Sequence, residues 1–163
     1  MIRNLTMMLV LACGACLVLS CVAEDKDKPD VVNGTFPEAQ AELQVVLKEI
    51  YDDAMAVNIE GLKAIHLNSP KFTKFGPRSF ERQNVEQTNA SEASFFSSIS
   101  DLKVELKDVK IDVFDDVAVT TFYPTYSLKK DGEVVEGMSR QTLVFLRTSQ
   151  GWRIIHEHGT TKK

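Results

Sequence analysis

Two histidines stand two residues apart near the C-terminus, in Gly151-Trp152-Arg153-Ile154-Ile155-His156-Glu157-His158-Gly159. On a strand, alternate residues share a face, so His156 and His158 are expected on one side with Trp152 and Ile154, and Glu157 on the other with Arg153 and Ile155. Imidazoles titrate near neutral pH and are common general acids and bases. If their face lines a cavity, His156 and His158 are candidates for proton transfer. If it faces outward, they are interface or hydrogen-bonding residues, and the sequence leaves this parity open. The third histidine, His66, falls in a short helix before a loop. There it is either a surface or end-of-helix group complementing the helix C-terminus or an acid/base at a cavity mouth. Zinc requires three or four ligands and the histidine pair has no clustered acidic partner, so neither a metal nor another cofactor is expected.

Other side chains suit ligand contact. Arg140 enters the strand opposite the last one, where it can hold a ligand carboxylate or pair with Glu157. Tyr123 and Tyr126 flank Pro124, and one of them, with Tyr126 the candidate, reaches a cavity as a hydrogen-bond donor. Phe72, Phe75 and Phe80 punctuate a segment of weak periodicity, residues 70–87. Such a connection either lines a cleft, with Phe75 as a contact, or is a loop pinned by its phenylalanines.

The elements that position these groups follow from periodicity. Ala39, Leu43, Val46, Leu47, Ile50, Ala54 and Val57 recur at helical spacing. Thr35-Phe36-Pro37-Glu38 before them has capping-box spacing. Asn58 caps a second helix over about residues 59–67. A third is expected over about residues 90–99, capped by Asn89. The period then changes to two. Leu102, Val104 and Leu106, then Val109, Ile111 and Val113, then residues 117–128, 134–147 and 152–158 read as strands. Pro124 marks a bulge or an edge, and Gly137 a bend. Helices followed by a meander predict an α+β domain, with a curved antiparallel sheet wrapped around N-terminal helices into a cone.

The chain has 163 residues, one domain's worth. Its cysteines, Cys13, Cys16 and Cys21, all lie near the N-terminus, so no disulfide is expected within the domain. Arg3, the apolar run from Leu5 to Leu19 and the polar stretch after it read as a secretory signal over residues 1–20. The run is shorter than the roughly 20 residues of a spanning helix. Val18-Leu19-Ser20-Cys21 resembles a lipobox, with Cys21 as the lipidated residue; cleavage after Ala23 is the alternative. Residues 21–34 read as a flexible tether and residues 35–160 as the folded domain. Without residues 1–20 the chain carries 18 Lys+Arg against 23 Asp+Glu. That balance, with no basic patch, argues against nucleic acid. The expected location is exported, either lipid-anchored at the membrane or secreted.

Element order, Val109 to Val119, and the Trp-x-Ile-x-His-x-His run after Gly151 resemble the SnoaL-like branch of the NTF2-like superfamily over about residues 38–160. The association domain of calcium/calmodulin-dependent protein kinase is similar there too. The resemblance implies a cystatin-like roll with an internal pocket, commonly dimeric through the outer sheet face. Its relatives include a steroid isomerase, dehydratases and polyketide cyclases, and fold alone does not transfer a reaction. Gly159 and Leu143 stand where the kinase association domains carry arginines, which argues against an anionic-ligand pocket of that kind. The isomerase's tyrosine-plus-aspartate set has no clear counterpart; Tyr51, Asp52 and Asp53 on the first helix are the candidates. The expected function is binding of a small apolar or carbonyl-bearing molecule. One alternative is an isomerase- or dehydratase-like enzyme using His66, His156, His158 or Tyr51. The other is a homodimeric assembly module.

Overall fold

The computed structural model describes residues 29–162 apart from Arg78. The signal segment, Cys21 and most of the tether lie outside the described residues. Among those described, no helix is long and apolar enough to cross a membrane.

Helix α1 (Pro37–Ala56) buries Ala39, Leu43, Leu47 and Ala54, one face at helical spacing. Its start differs from the capping box expected at Thr35–Glu38: Phe36 is the N-cap, without a side-chain cap bond, and Pro37 opens the first turn. The helix ends on Val57, held left-handed at φ 56°. Asn58 follows at once as the N-cap of α2 (Ile59–Ile65), accepting from the Gly61 N–H. A Cβ on Gly61 would lie 2.1 Å from Asp53 Oδ2, so glycine is what lets the two helices meet this closely.

Helix α3 spans Val85–Ser97, five residues earlier at its start than the spacing suggested. Its N-cap is Asn84, in a reciprocal capping box with Gln87. Asn89 is therefore an interior helix residue, not a cap.

Strands β2 (Ile99–Phe114), β3 (Val117–Lys130), β4 (Glu133–Thr148) and β5 (Gly151–Thr161) form the expected antiparallel meander. The two runs 102–106 and 109–113 are one strand, with a register shift between Lys107 and Lys110 and Asp108 at φ 51°. A short strand the sequence did not signal, β1 (Thr73–Phe75), pairs in parallel with β5. The curved sheet is thus mixed, in the order β1-β5-β4-β3-β2. Pro124 is not at an edge. It lies within β3, and the ladder to β4 pairs Phe122 with Gln141 and resumes at Thr125 with Met138. The core of Leu43, Leu47, Phe72, Val113, Phe122, Leu143, Phe145, Trp152 and Ile154 joins helices to the inner sheet face.

One irregularity decides the C-terminal strand. Phe145 pairs with Ile154 but Val144 pairs with His156, so Ile155 is an extra residue, a β-bulge. Alternation restarts after it. Trp152 and Ile154 are buried, and so is Glu157, at 4% exposure, whereas His156 is half-buried and His158 exposed. The expectation that both histidines share a face with Trp152 and Ile154 is overturned: Glu157 follows them into the interior.

Candidate functional site

A cavity of about 400 Å³ lies between α1, α3 and the inner face of the sheet. Most of its wall is apolar: Ala54, Phe95, Phe96, Leu102, Val104, Pro124 and Leu128. The polar groups on it are chiefly Tyr51, Lys74, Glu92, Gln141 and Glu157. A separate hollow of about 610 Å³ runs outside, between α1 and β2, past the exposed pair Lys48–Asp52.

Lys74, Glu92 and Glu157 form one network with His66 and Asn89. Glu157 Oε1 accepts a hydrogen bond from His66 Nε2 at 2.7 Å, and Glu157 Oε2 meets Lys74 Nζ at 2.7 Å. The same Lys74 ammonium bonds Glu92 Oε1. His66 Nδ1 donates to Asn89 Oδ1 at 2.8 Å. The five residues arrive from four elements: His66 from the end of α2, Lys74 from β1, Asn89 and Glu92 from α3, Glu157 from β5. His66 is 4% exposed, so it is not the surface residue that its place before a loop suggested. Its segment is pinned to the sheet by the Leu67 N–H donating to the Ile154 carbonyl at 2.8 Å, and its ring lies against Phe72. Apart from this network, Tyr51 Oη donates to Gln141 Oε1 at 2.7 Å.

The charges follow from this geometry. Burial alone would lower the pKa of His66, but the hydrogen bond and charge of Glu157, aided by Glu92 and Asn89, raise it. Acceptors stand opposite both ring nitrogens, an arrangement that favours the imidazolium form of His66. Burial would likewise raise Glu157, but Lys74 and His66 hold it well below the usual carboxylate range. Lys74, against its own burial, is pushed up by Glu157 and Glu92. Tyr51 is also pushed up, by burial and then by the two carboxylates, and stays a protonated donor. Ligand atoms of His66, Glu92 and Glu157 lie within 4.8 Å of one another, a spacing a metal could use. The Lys74 ammonium, bonded to both carboxylates, already supplies the positive charge there.

The other sequence candidates lie elsewhere. His156 Nδ1 bonds Thr73 Oγ1 at 2.8 Å, and Phe75, 39% exposed, sets its ring edge-on to both His156 and His158. Arg140 does not pair with Glu157: its Nε donates to Thr160 Oγ1 at 2.8 Å, in an outer hollow shared with His158 and Tyr123. Tyr126 borders the cavity; Tyr123 is exposed. Sequence reasoning missed Lys74, Asn89, Glu92 and Gln141. For Asn89 and Glu92 a signal existed. With α3 begun at Val85, both fall on the stripe of Val85, Thr88 and Phe95, polar residues on an inward face. A three-residue strand offers no period that could have exposed Lys74.

The model of the SnoaL-like domain matches residues 43–160. The chain belongs to the SnoaL-like domain family. Solved structures agree on the fold. A proposed dehydratase of the NTF2-like family from Streptomyces avermitilis superposes with TM-score 0.71 at 17% identity, over 78% of this chain and 99% of that one. An NTF2-like superfamily protein from Salmonella enterica gives 0.71 at 17%, over 78% and 93%. A proposed calcium/calmodulin-dependent protein kinase II association domain from Xanthomonas campestris gives 0.65 at 19%, over 74% and 86%. A comparison with curated protein sequences gives no match. At these identities the likeness concerns the fold; what this SnoaL-like domain does has to be argued from its own cavity.

Proposed function

We propose that this SnoaL-like domain binds a small molecule with an apolar body and a hydrogen-bond-accepting head, such as a carbonyl, in the cavity between α1, α3 and the sheet. The observation that carries the reading is the Tyr51–Gln141 pair on a mostly apolar wall. Because Tyr51 Oη donates to Gln141 Oε1, the amide is oriented with its NH₂ as the donor left over, and that group has no partner among the described residues. A cavity of about 400 Å³ is in the range of small-ligand sites.

Binding is favoured over proton-transfer chemistry by the charged network around Lys74 and Glu157. A general base or acid works best with a pKa near the operating pH. Glu157 is held far below that range and Lys74 far above it, so both are fixed charges.

The test is titration with 2-decanone against decane, followed by calorimetry and by thermal shift. The ketone should bind more tightly, and Gln141→Leu should bring the two together, a loss of about 0.5–1.5 kcal/mol for one hydrogen bond. Equal binding of both by the natural chain, or of neither, overturns the reading.

The proposal extends to location and assembly. The N-terminal 20 residues direct export, and lipidation at Cys21 tethers the domain to a membrane. Cys21→Ser should move the protein from the membrane to the soluble fraction, and unchanged fractionation would count against the anchor. The exposed sheet face bearing Tyr123 and His158 is the proposed homodimer surface; sedimentation as a monomer at micromolar concentration would remove it.

A further inference from the structure

The polar end of the cavity contains balanced charge. Two carboxylates, Glu92 and Glu157, face two cations, the Lys74 ammonium and the His66 imidazolium. The side chains are 17%, 5%, 13% and 2% exposed, so water screens them little. His66 is not on the cavity wall. It stands behind Glu157, facing Glu157 and Glu92, with the Asn89 amide on its other nitrogen. Lys74 bonds both carboxylates and retains one N–H without a partner among the described residues. Among the donors left over toward the cavity are that N–H and the Gln141 amide.

We infer that the bound molecule carries an uncharged, hydrogen-bond-accepting head, and that His66 is the positioning residue that enforces this by balancing Glu157 from outside the cavity. The inference rests on the binding reading above and narrows its ligand class. An ionised head would bring an unpaired charge to a polar end whose own charges already cancel, beside apolar walls, Phe95, Leu102, Pro124 and Leu128 among them, that offer no counter-ion; Lys130, also on the lining, is exposed to water. A ketone, ester or amide accepts from the leftover donors and adds no net charge. Removing the imidazolium leaves the polar end net negative without altering any cavity-lining residue. The preference should then move toward a cationic head. Removing Glu92 leaves it net positive and should move the preference the opposite way. Only an electrostatic role predicts two shifts of opposite sign; a merely structural role would weaken all heads alike.

The test compares 2-decanone, decanoate and decylamine, one chain with three heads, by calorimetry at pH 6.5 on the natural chain, His66→Gln and Glu92→Gln. Histidine nitrogen NMR of the natural chain reads the His66 protonation state directly. Expected are an imidazolium signature lost in His66→Gln, and the ketone bound at least tenfold more tightly than either ion. Decylamine should gain severalfold on the ketone in His66→Gln, and decanoate should gain in Glu92→Gln. If one variant does not fold, the other still reports a sign. A neutral His66 at pH 6.5 overturns the inference whatever binds. Equal binding of all three heads overturns it but leaves the binding reading standing. So does tight decanoate binding that Lys130→Ala abolishes, since exposed Lys130 also borders the cavity. Binding of no head overturns the binding reading and the inference together.

Discussion

Glu157 and His66 are 91 residues apart in sequence and joined by a 2.7 Å hydrogen bond inside the domain. The bond requires α2 to end against β5, and it requires the bulge at Ile155 to turn Glu157 inward. Fold and site therefore depend on one another. The contact that holds His66 over the sheet also brings the cavity's carboxylate to its cation, Lys74.

Breaking this network on one side should be costly. Lys74→Met leaves Glu157 and Glu92 sharing only the His66 charge, and removal of one partner of a buried pair typically costs about 3–5 kcal/mol. The urea midpoint of Lys74→Met should fall accordingly. Restoring the balance with a second change, Glu157→Gln, should recover part of the loss. A double variant as unstable as the sum of the two singles would show that the two groups are not coupled.

The pH dependence follows from the directions of the two shifts. His66 has a raised folded pKa, so its contribution is fully present below its unfolded value of 6.5 and is lost as pH rises through the folded one. The groups facing it are Glu157 on β5 and Glu92 and Asn89 on α3. The stability gap between the natural chain and His66→Gln should therefore be largest in mild acid and shrink toward alkaline pH. Glu157, with a depressed folded pKa, behaves in reverse: its contribution is present above 4.5 and lost as pH falls through the folded value. Urea melts from pH 2 to 9 on His66→Gln and Glu157→Gln would separate the two limbs, and a gap for His66→Gln that widened with pH would contradict the assignment.

Much of the fold was legible in the sequence because it rests on local periodicity. Leu43 and Leu47 mark α1, Asn58 marks the start of α2, and the change to alternation after Ser100 marks the sheet. The site was less legible because it rests on departures from periodicity. Strict alternation from Trp152 puts His156 and His158 inside, and a single extra residue, Ile155, reverses them. Nothing in Ile154-Ile155 announces a bulge, since both residues suit a regular strand. Lys74 and Gln141 become notable only through partners 83 and 90 residues away along the chain, Glu157 and Tyr51.

A simple strain test is available at the joint between α1 and α2. Val57 is β-branched, 39% exposed and held at φ 56°. The left-handed conformation costs an L-residue roughly 1–2 kcal/mol, and glycine adopts it freely. Val57→Gly should therefore be neutral or stabilising, by up to about 1 kcal/mol after glycine's greater entropy loss. A clear drop in melting temperature would mean that the Val57 side chain contributes packing that its exposure does not suggest.

Gly137 gives the reverse case, with a consequence for the cavity. It pairs with Tyr126 across β3 and β4, and a Cβ there would lie 2.5 Å from Tyr126 Oη and 2.6 Å from Cζ. The tyrosine ring thus lies over the glycine, and even alanine displaces it. Tyr126 also borders the cavity, so the displacement alters the wall. Gly137→Ala should destabilise by about 1–3 kcal/mol, the usual range for overpacking. Gly137→Ala with Tyr126→Phe should recover little, because the ring carbon Cζ clashes as well as the hydroxyl. Gly137→Ala with Tyr126→Val should recover most of it. If the phenylalanine double variant regained full stability in urea, the hydroxyl alone would be the obstacle, and the ring would be free to leave its place over Gly137.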